Sequence, residues 1–169
     1  MISKKLMAAI NDQINYEFYS EYIYLAMSAY CEDLDLSGFA NYYKVQAEEE
    51  RFHAMKFFDY INTMNGRVIL EAINKPENNY QNILSTFEIA YAHEQSVTKR
   101  IYNLTDIATT EKEHATISLL KWFIDEQVEE ENNFSTLIKK LKRIGDDSAA
   151  LYMLDAELAA RVFIPPATV

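Results

Sequence analysis

The sequence predicts an all-α protein, an antiparallel four-helix bundle with one long crossover and a short fifth helix at its C-terminal end. Three observations lead to this prediction. Glycine and proline, which interrupt helices, occur only three times each among 169 residues. Gly38, Gly66 and Gly145 lie between long segments whose apolar residues recur at steps of three and four. The chain is long enough for one domain with its own core, so we expect residues 1–169 to form a single domain.

Helix bounds follow from the polar residues that flank each segment. We expect four long helices and one shorter one, at residues 4–31, 37–65, 82–109, 110–145 and 147–163. Asn82 is suited to cap the third helix, and Thr110 with Glu113 has the pattern of a capping box that opens the fourth. Asp147 is suited to cap the fifth helix, whose apolar run at residues 149–154 needs a surface to pack against.

The lengths of the connections predict the topology. The first and second helices, and the third and fourth, are joined by few residues, so each pair is expected to be an antiparallel hairpin. The middle connection, residues 67–81, is longer and polar. A helix of ~27 residues is ~40 Å long, and about 16 extended residues reach roughly 50 Å. The connection can therefore cross the bundle and leave the second and third helices parallel.

Composition and charge exclude several classes of protein. The formal net charge of −10 argues against nucleic acid or an anionic membrane as a partner and suits a protein that handles cations. The single cysteine, Cys31, excludes an internal disulfide and a Cys-x-x-Cys metal site. No apolar run approaches the ~20 residues of a membrane span. Asn11 and Asp12 interrupt the first apolar run, which makes it a poor signal peptide. We therefore expect a soluble, cytoplasmic protein.

A repeated spacing of polar residues predicts a metal site. A shift of the sequence by 77 residues superposes three pairs, which are Glu17 on Glu94, Glu50 on Gln127, and His53 on Glu130. The second and third members of each set are three residues apart, so they share one face of a helix. All six lie in apolar stripes near the middle of the four long helices. In the third helix we expect the stripe to comprise Leu84, Phe87, Tyr91, Glu94, Thr98, Ile101 and Thr105.

An alternative interpretation is that these polar residues are solvated. A lone Glu-x-x-His pair is commonly a surface pair, and a lone Glu in a stripe can mean that the stripe is assigned out of phase. Four carboxylates at matched heights, related by one offset, favour the metal site instead. Buried carboxylates without partners cost several kcal/mol each, whereas two divalent cations would neutralise four of them. Oxygen ligands with one imidazole suit Fe²⁺.

These motifs resemble those of the ferritins along the entire chain, and most closely the bacterial non-haem ferritins. The residues that carry the resemblance are Glu17, Tyr24, the runs 49–53 and 126–130, and His93-Glu94-Gln95. The resemblance implies a ferritin-like bundle in a homo-oligomeric, 24-subunit cage. It also implies oxidation of Fe²⁺ with O₂ or peroxide, and storage of Fe³⁺ as a mineral.

The resemblance also implies a role for each site residue. Two irons per subunit are expected, the first bound by Glu17, Glu50 and His53 and the second by Glu50, Glu94 and Glu130. Glu50 would bridge them, Gln127 would place its amide beside them, and Glu49, Glu126 and Glu129 would bind a third iron with Glu130. Haem is not expected, because Arg51 stands where bacterioferritins have their haem-ligating Met.

Several interpretations remain open at this stage. Tyr24 lies two turns after Glu17 on the same face, where it can serve the metals or be an ordinary core aromatic. Glu126 and Glu129 can belong to a solvated acidic face. The bundle as a whole can be a di-metal carboxylate oxidase without a storage function, or a purely structural bundle.

Overall fold

In the computed structural model, which describes residues 2–166, the chain is helical throughout apart from short turns, one extended connection and a C-terminal segment. The described part contains five helices, α1 (Lys4–Asp33), α2 (Ser37–Thr63), α3 (Ile83–Thr110), α4 (His114–Ile144) and α5 (Ser148–Leu158). The all-α prediction is confirmed. Among residues 2–166, no helix combines the length and the apolar character that are needed to cross a bilayer.

Contacts between the helices confirm the predicted topology. α1 packs along α2, α3 packs along α4, and α1 also faces α3. Ser28 of α1 donates a hydrogen bond to the Ala40 carbonyl near the start of α2, so these two helices are antiparallel. Gln13 and Tyr24 of α1 contact residues 100 and 94 of α3, which makes α1 and α3 antiparallel as well. α2 and α3 are therefore parallel, as one long crossover requires.

Two asparagines of α1 hold this crossover against the bundle. The Asn11 side chain donates to the Arg67 carbonyl at 3.1 Å and accepts from the Ile69 amide at 2.7 Å. One turn later, Asn15 donates to the Ile69 carbonyl and accepts from the Glu71 amide. Both side chains thus satisfy backbone groups of a segment that has no secondary structure of its own.

The apolar core is divided into two clusters by a polar layer. One cluster, around Phe39, Tyr43 and Phe87, lies towards the end of the bundle where α5 packs. The other, around Phe57 and Phe123, lies towards the opposite end. The predicted polar residues fall between the two clusters in all four long helices, which confirms their placement near the helix midpoints.

The caps of α3 and α5 are as predicted, but the start of α4 is not. Asn82 accepts a hydrogen bond from the Ser85 amide, and Asp147 accepts one from the Ala150 amide. The predicted capping box of Thr110 and Glu113 is wrong. The Thr110 hydroxyl donates back to the Asp106 carbonyl at 2.8 Å and so extends α3 by one residue, and α4 begins after the turn with no side-chain cap.

The buried face of α3 also differs from its predicted stripe. Phe87, Glu94 and Ile101 are buried as expected, whereas the other four predicted members are only half-buried. The residue just before each of those four is buried instead. The face is therefore completed by Ile83, Ala90, Val97 and Leu104, together with Thr86 and Ala108. The predicted stripe is thus one residue out of phase, because apolar residues such as Ile83 and Leu84 stand on both sides of the boundary of this face.

The fifth helix ends at Leu158, five residues before the predicted end at Phe163. The Asn41 side chain of α2 donates to the carbonyls of Leu158, Ala159 and Arg161, which replaces the hydrogen bonds of a further helical turn. Leu154 and Leu158 are buried against the bundle, as predicted for this apolar helix. Of the other large residues in its apolar run, Leu151 is half-buried, whereas Tyr152 is exposed by 59% and Met153 by 75%.

Candidate metal centre

Each long helix contributes one carboxylate to the polar layer. Glu17, Glu50, Glu94 and Glu130 come from α1, α2, α3 and α4 in turn, and each side chain is almost fully buried. His53 follows Glu50 by one turn of α2 and is buried beside it. The five predicted ligands therefore occupy one interior layer.

Three of these residues are close enough to share one ion. Glu17, Glu50 and His53 each offer one ligand atom, and these atoms lie within 4.8 Å of one another. His53 Nδ1 is 3.4 Å from Glu50 Oε2. Glu17 Oε2 and Glu50 Oε1 are buried without a hydrogen-bond partner among the described residues. Because an unpaired buried carboxylate oxygen is costly, these two atoms fit a bound divalent cation.

Glu94 and Glu130, the other two carboxylates of the layer, accept hydrogen bonds. Glu94 accepts from the Tyr24 hydroxyl and from Gln127 Nε2, the latter at 3.0 Å. The Gln127 amide also donates to the Glu94 backbone carbonyl at 3.2 Å. Glu130 Oε2 accepts from Gln46 Nε2 at 2.8 Å. The predicted residues Tyr24 and Gln127 thus both contact Glu94.

Burial dominates the electrostatics of the layer. It raises the pKa of Glu17 and Glu94, and it raises the pKa of Glu50 and Glu130 well above the usual range of a carboxyl group. For Glu50 and Glu130, repulsion by the Glu94 carboxylate raises the pKa further. Without a cation the layer therefore favours bound protons, and a divalent cation would compete with them.

The residues predicted for a third site lie on a more open flank. Glu49 and Glu126 are half-buried, and Glu129 is exposed. Burial is the main cause of the raised pKa of both Glu49 and Glu126. Glu49 is not free, because Arg161 donates to its Oε2 at 2.6 Å. The Arg161 guanidinium thus occupies one oxygen of a carboxylate that the sequence predicts to be a metal ligand.

Several buried polar contacts around the centre were not predicted from the sequence. Gln13 donates to Glu17, and Gln46 donates to Glu130. Helical spacing places both glutamines on the inward faces, four residues before Glu17 and Glu50, but it does not identify Glu130 as the partner of Gln46. His93 contacts the Ser20 hydroxyl at 2.7 Å, and burial lowers its pKa to about 4. That contact is specific to the packing of α1 on α3, so no sequence pattern indicates it.

Comparison with known proteins identifies the family. The sequence model of the family described as ferritin-like domain matches residues 7–144, which include all four carboxylates of the layer. The chain belongs to the ferritin family. The resemblance found in its motifs is thereby confirmed.

Similar ferritins are known in sequence and in structure. The bacterial non-heme ferritin of Staphylococcus saprophyticus is 52% identical over 96% of this chain and 98% of its own length. That of Staphylococcus aureus strain USA300 is 49% identical over the same shares. An open-pore ferritin from the archaeon Archaeoglobus fulgidus superposes with a TM-score of 0.95 at 45% identity, over 96% of this chain and 100% of its own. An engineered closed form of that ferritin gives a TM-score of 0.96 at 46% identity, over 97% and 100%.

Proposed function

We propose that this ferritin stores iron, and that it oxidises Fe²⁺ to Fe³⁺ at a di-iron centre within each subunit. The observation that carries the proposal is the cluster of Glu17, Glu50 and His53, in which two buried carboxylate oxygens lack a partner among the described residues. Oxygen and imidazole ligands match the preference of Fe²⁺. Membership of the ferritin family supports the same assignment.

We assign two metal positions that share one ligand. The first position is bound by Glu17, Glu50 and His53, and the second by Glu50, Glu94 and Glu130. Glu50 would bridge them. Two observations support this role: its Oε2 lies 3.4 Å from His53 Nδ1, and after burial the Glu94 carboxylate is the main cause of its raised pKa. Tyr24 and Gln127 orient Glu94 through their hydrogen bonds.

In the proposed reaction Fe²⁺ is the substrate. Two Fe²⁺ ions lose one electron each, and one O₂ takes up both electrons with two protons to give H₂O₂. Peroxide is the alternative oxidant. The buried carboxylates favour the product because negative ligands stabilise Fe³⁺ more strongly than Fe²⁺.

A third, weaker cation position is proposed on the open flank, with Glu49, Glu126, Glu129 and Glu130 as ligands. Mutual repulsion supports it, since the carboxylates of Glu129 and Glu49 raise the pKa of Glu126. Arg161 already neutralises Glu49, so a cation at this position has to compete with the guanidinium.

We also propose that the subunits form a homo-oligomeric cage of the 24-subunit ferritin type, in the cytoplasm, with residues 1–169 as one domain. Exposed apolar residues on α1 and the crossover support association with another subunit, namely Tyr22, Leu25, Ile69, Leu70 and Ile73. Tyr152 and Met153 of α5 offer a second apolar surface.

The test combines particle size with the Glu50→Ala and His53→Ala variants. Light scattering should give a cage of roughly half a megadalton, many times the 19.6 kDa subunit. Glu50→Ala should abolish rapid Fe²⁺ oxidation, measured as O₂ uptake, while circular dichroism shows an intact bundle. His53→Ala should weaken mainly the first position. A stable dimer would contradict storage, and unchanged oxidation by Glu50→Ala would contradict the bridging role.

A further inference from the structure

A chain of hydrogen bonds runs from the surface to Glu17, and we call it the first relay. Arg100 Nε donates to Gln13 Oε1 at 2.9 Å, and Gln13 Nε2 donates to Glu17 Oε1 at 2.8 Å. The guanidinium also pairs with Asp12 and lies 4.1 Å from the centre of the Tyr16 ring. Arg100 therefore contacts an amide, a carboxylate and an aromatic ring.

A second relay of the same composition leads to Glu130. Arg161 Nη1 donates to Gln46 Oε1 at 3.0 Å, and Gln46 Nε2 donates to Glu130 Oε2 at 2.8 Å. The Arg161 guanidinium pairs with Glu49 and lies 4.2 Å from the centre of the Tyr42 ring. Each relay thus joins arginine, glutamine and glutamate, with a tyrosine and a second acid to hold the arginine.

The two relays are not a consequence of the internal repeat. The positions 77 residues after Gln13 and Gln46 are Ala90 and Phe123, which cannot form such contacts. Arg100 lies on α3, whereas Arg161 lies in the segment that follows α5. The same chemistry is therefore built twice from unrelated parts of the chain, once at each proposed metal position.

The arginine decides which end of the amide faces the carboxylate. A glutamine side chain has an oxygen that accepts and a nitrogen that donates, and either end can point inwards. With its oxygen bound to a guanidinium, Gln13 must direct its NH₂ group to Glu17 Oε1. The other oxygen, Glu17 Oε2, then has no partner among the described residues.

We propose that Arg100 and Arg161 are positioning residues, which fix the amides of Gln13 and Gln46 so that Glu17 and Glu130 each present one free oxygen to a cation. This inference rests on the proposed function, because it takes Glu17 and Glu130 as ligands of different metal positions. It adds that the second position depends on the docked C-terminal segment, whereas the first does not.

The test uses Co²⁺ binding by the assembled protein. Calorimetry and the visible Co²⁺ spectrum report the affinities, and Co²⁺-soaked crystals assign each affinity to a position. Gln13→Met should weaken the first position ~10–100-fold and leave the second unchanged. Gln46→Met should do the reverse. Arg143→Met is the matched control, since that exposed arginine at the end of α4 lies outside both relays, and its Co²⁺ binding should equal that of the parent.

Arginine variants separate positioning from general stability. Arg100→Met should cause a smaller loss at the first position only, and Arg100→Lys should recover part of it, because an ammonium group can still donate to the amide oxygen. The double variant with Gln13→Met should bind no more weakly than Gln13→Met alone, since the arginine acts through that amide. Arg161 variants should follow the same pattern at the second position.

If Co²⁺ binds at two positions in the parent protein, three outcomes would contradict the positioning role of the two relays. They are equal losses at both positions, additive losses in the double variant, and full affinity in Gln13→Met and Gln46→Met. A parent protein that binds no Co²⁺ would instead overturn the proposed function, and the relays with it.

Discussion

Tyr24 and Glu94 lie 70 positions apart in the sequence and meet in the middle of the bundle, where the phenolic hydroxyl donates a hydrogen bond to the carboxylate. The Tyr24 ring is fully buried and stacks on the rings of Tyr43 and Phe134, with ring centres 6.1 and 5.9 Å away. The hydroxyl is thus held rigidly, and it joins α1 to α3 at the level of the proposed metal centre.

Replacement of Tyr24 by Phe should impair the second metal position. Glu94 would keep only the hydrogen bonds from Gln127, so its pKa, already raised by burial, should rise further. Protons would then compete better with Fe²⁺, and the pH at which oxidation reaches half its maximum should move upwards. Loss of the hydrogen bond should also destabilise the metal-free protein by about 1 kcal/mol. Stopped-flow oxidation at several pH values and urea unfolding measure the two effects.

Tyr43→Phe is the control for this variant. It removes a buried hydroxyl that bonds to Thr86 at 2.8 Å and contacts no carboxylate. It should lower stability to a similar extent and leave the pH profile of oxidation unchanged. If both variants shift the profile equally, the hydrogen bond to Glu94 has no special role.

The metal-free protein should lose stability as the pH rises from about 4 towards neutrality. The folded-state pKa values of Glu50 and Glu130 lie well above the ~4.3 of an unfolded glutamate, so the folded protein binds more protons than the unfolded chain. The stability that these two carboxyl groups contribute is fully present below their pKa in the unfolded chain. It is lost as the pH rises through their pKa in the folded protein. Urea unfolding across this pH range measures it, and Zn²⁺ should restore stability at neutral pH.

Glu50→Gln and Glu130→Gln separate this effect from the general repulsion of a chain with a net charge of −10. Each variant should flatten the pH dependence without metal and reduce the gain from Zn²⁺. A parent protein that becomes steadily more stable from pH 4 to 7 in the absence of metal would contradict the electrostatic account of the layer.

The proposed third position should be separable from the di-iron centre. Simultaneous replacement of Glu49, Glu126 and Glu129 by Gln should leave the rapid oxidation of two irons largely intact, because an amide oxygen at position 49 can still accept a hydrogen bond from Arg161. It should change the ratio of iron to O₂ consumed, or the turnover, because a third cation can no longer bind beside Glu130. Oxygen-electrode measurements at increasing Fe²⁺ give both quantities.

A triple variant with the same change of charge provides the control. Glu32, Glu88 and Glu157 form exposed ion pairs with lysines remote from the centre, and their replacement by Gln should alter neither quantity. Crystals soaked at high Fe²⁺ or Zn²⁺ that show two occupied positions, with ordered water at the third, would refute the site.

Gly38→Ala should displace α5. A Cβ atom at this position of α2 would lie 1.7 Å from the backbone oxygen of Asp155, so the two helices would have to separate. Separation would also weaken the hydrogen bond from the Phe39 amide to the Asp155 side chain. We expect a loss of about 1–3 kcal/mol, although alanine is the better helix former. Thermal unfolding and light scattering would show the loss of stability and any change of assembly, and Ser37→Ala, at an exposed neighbouring site, should be neutral.

The helices and their carboxylates could be predicted from the sequence, whereas the contacts around the centre could not. Four long helices, their pairing and their carboxylates were predictable because helical periodicity and connection lengths are local properties of the chain. A metal site at the helix midpoints could be proposed because one offset of 77 residues relates Glu17, Glu50 and His53 to polar residues in the second half of the chain. The roles of these residues as ligands remain predictions.

What only the tertiary structure decided depends on contacts between distant segments. The end of α5 is set by Asn41 of α2, and the packing of α3 buries a face that lies one residue out of phase with the stripe predicted from the sequence. The pairing of Arg161 with Gln46 and Glu49 spans more than 100 positions and follows no periodicity. Sequence patterns record which face of a helix is buried, but the partner that each buried polar atom meets is chosen by packing, and the chemistry of this centre depends on those partners.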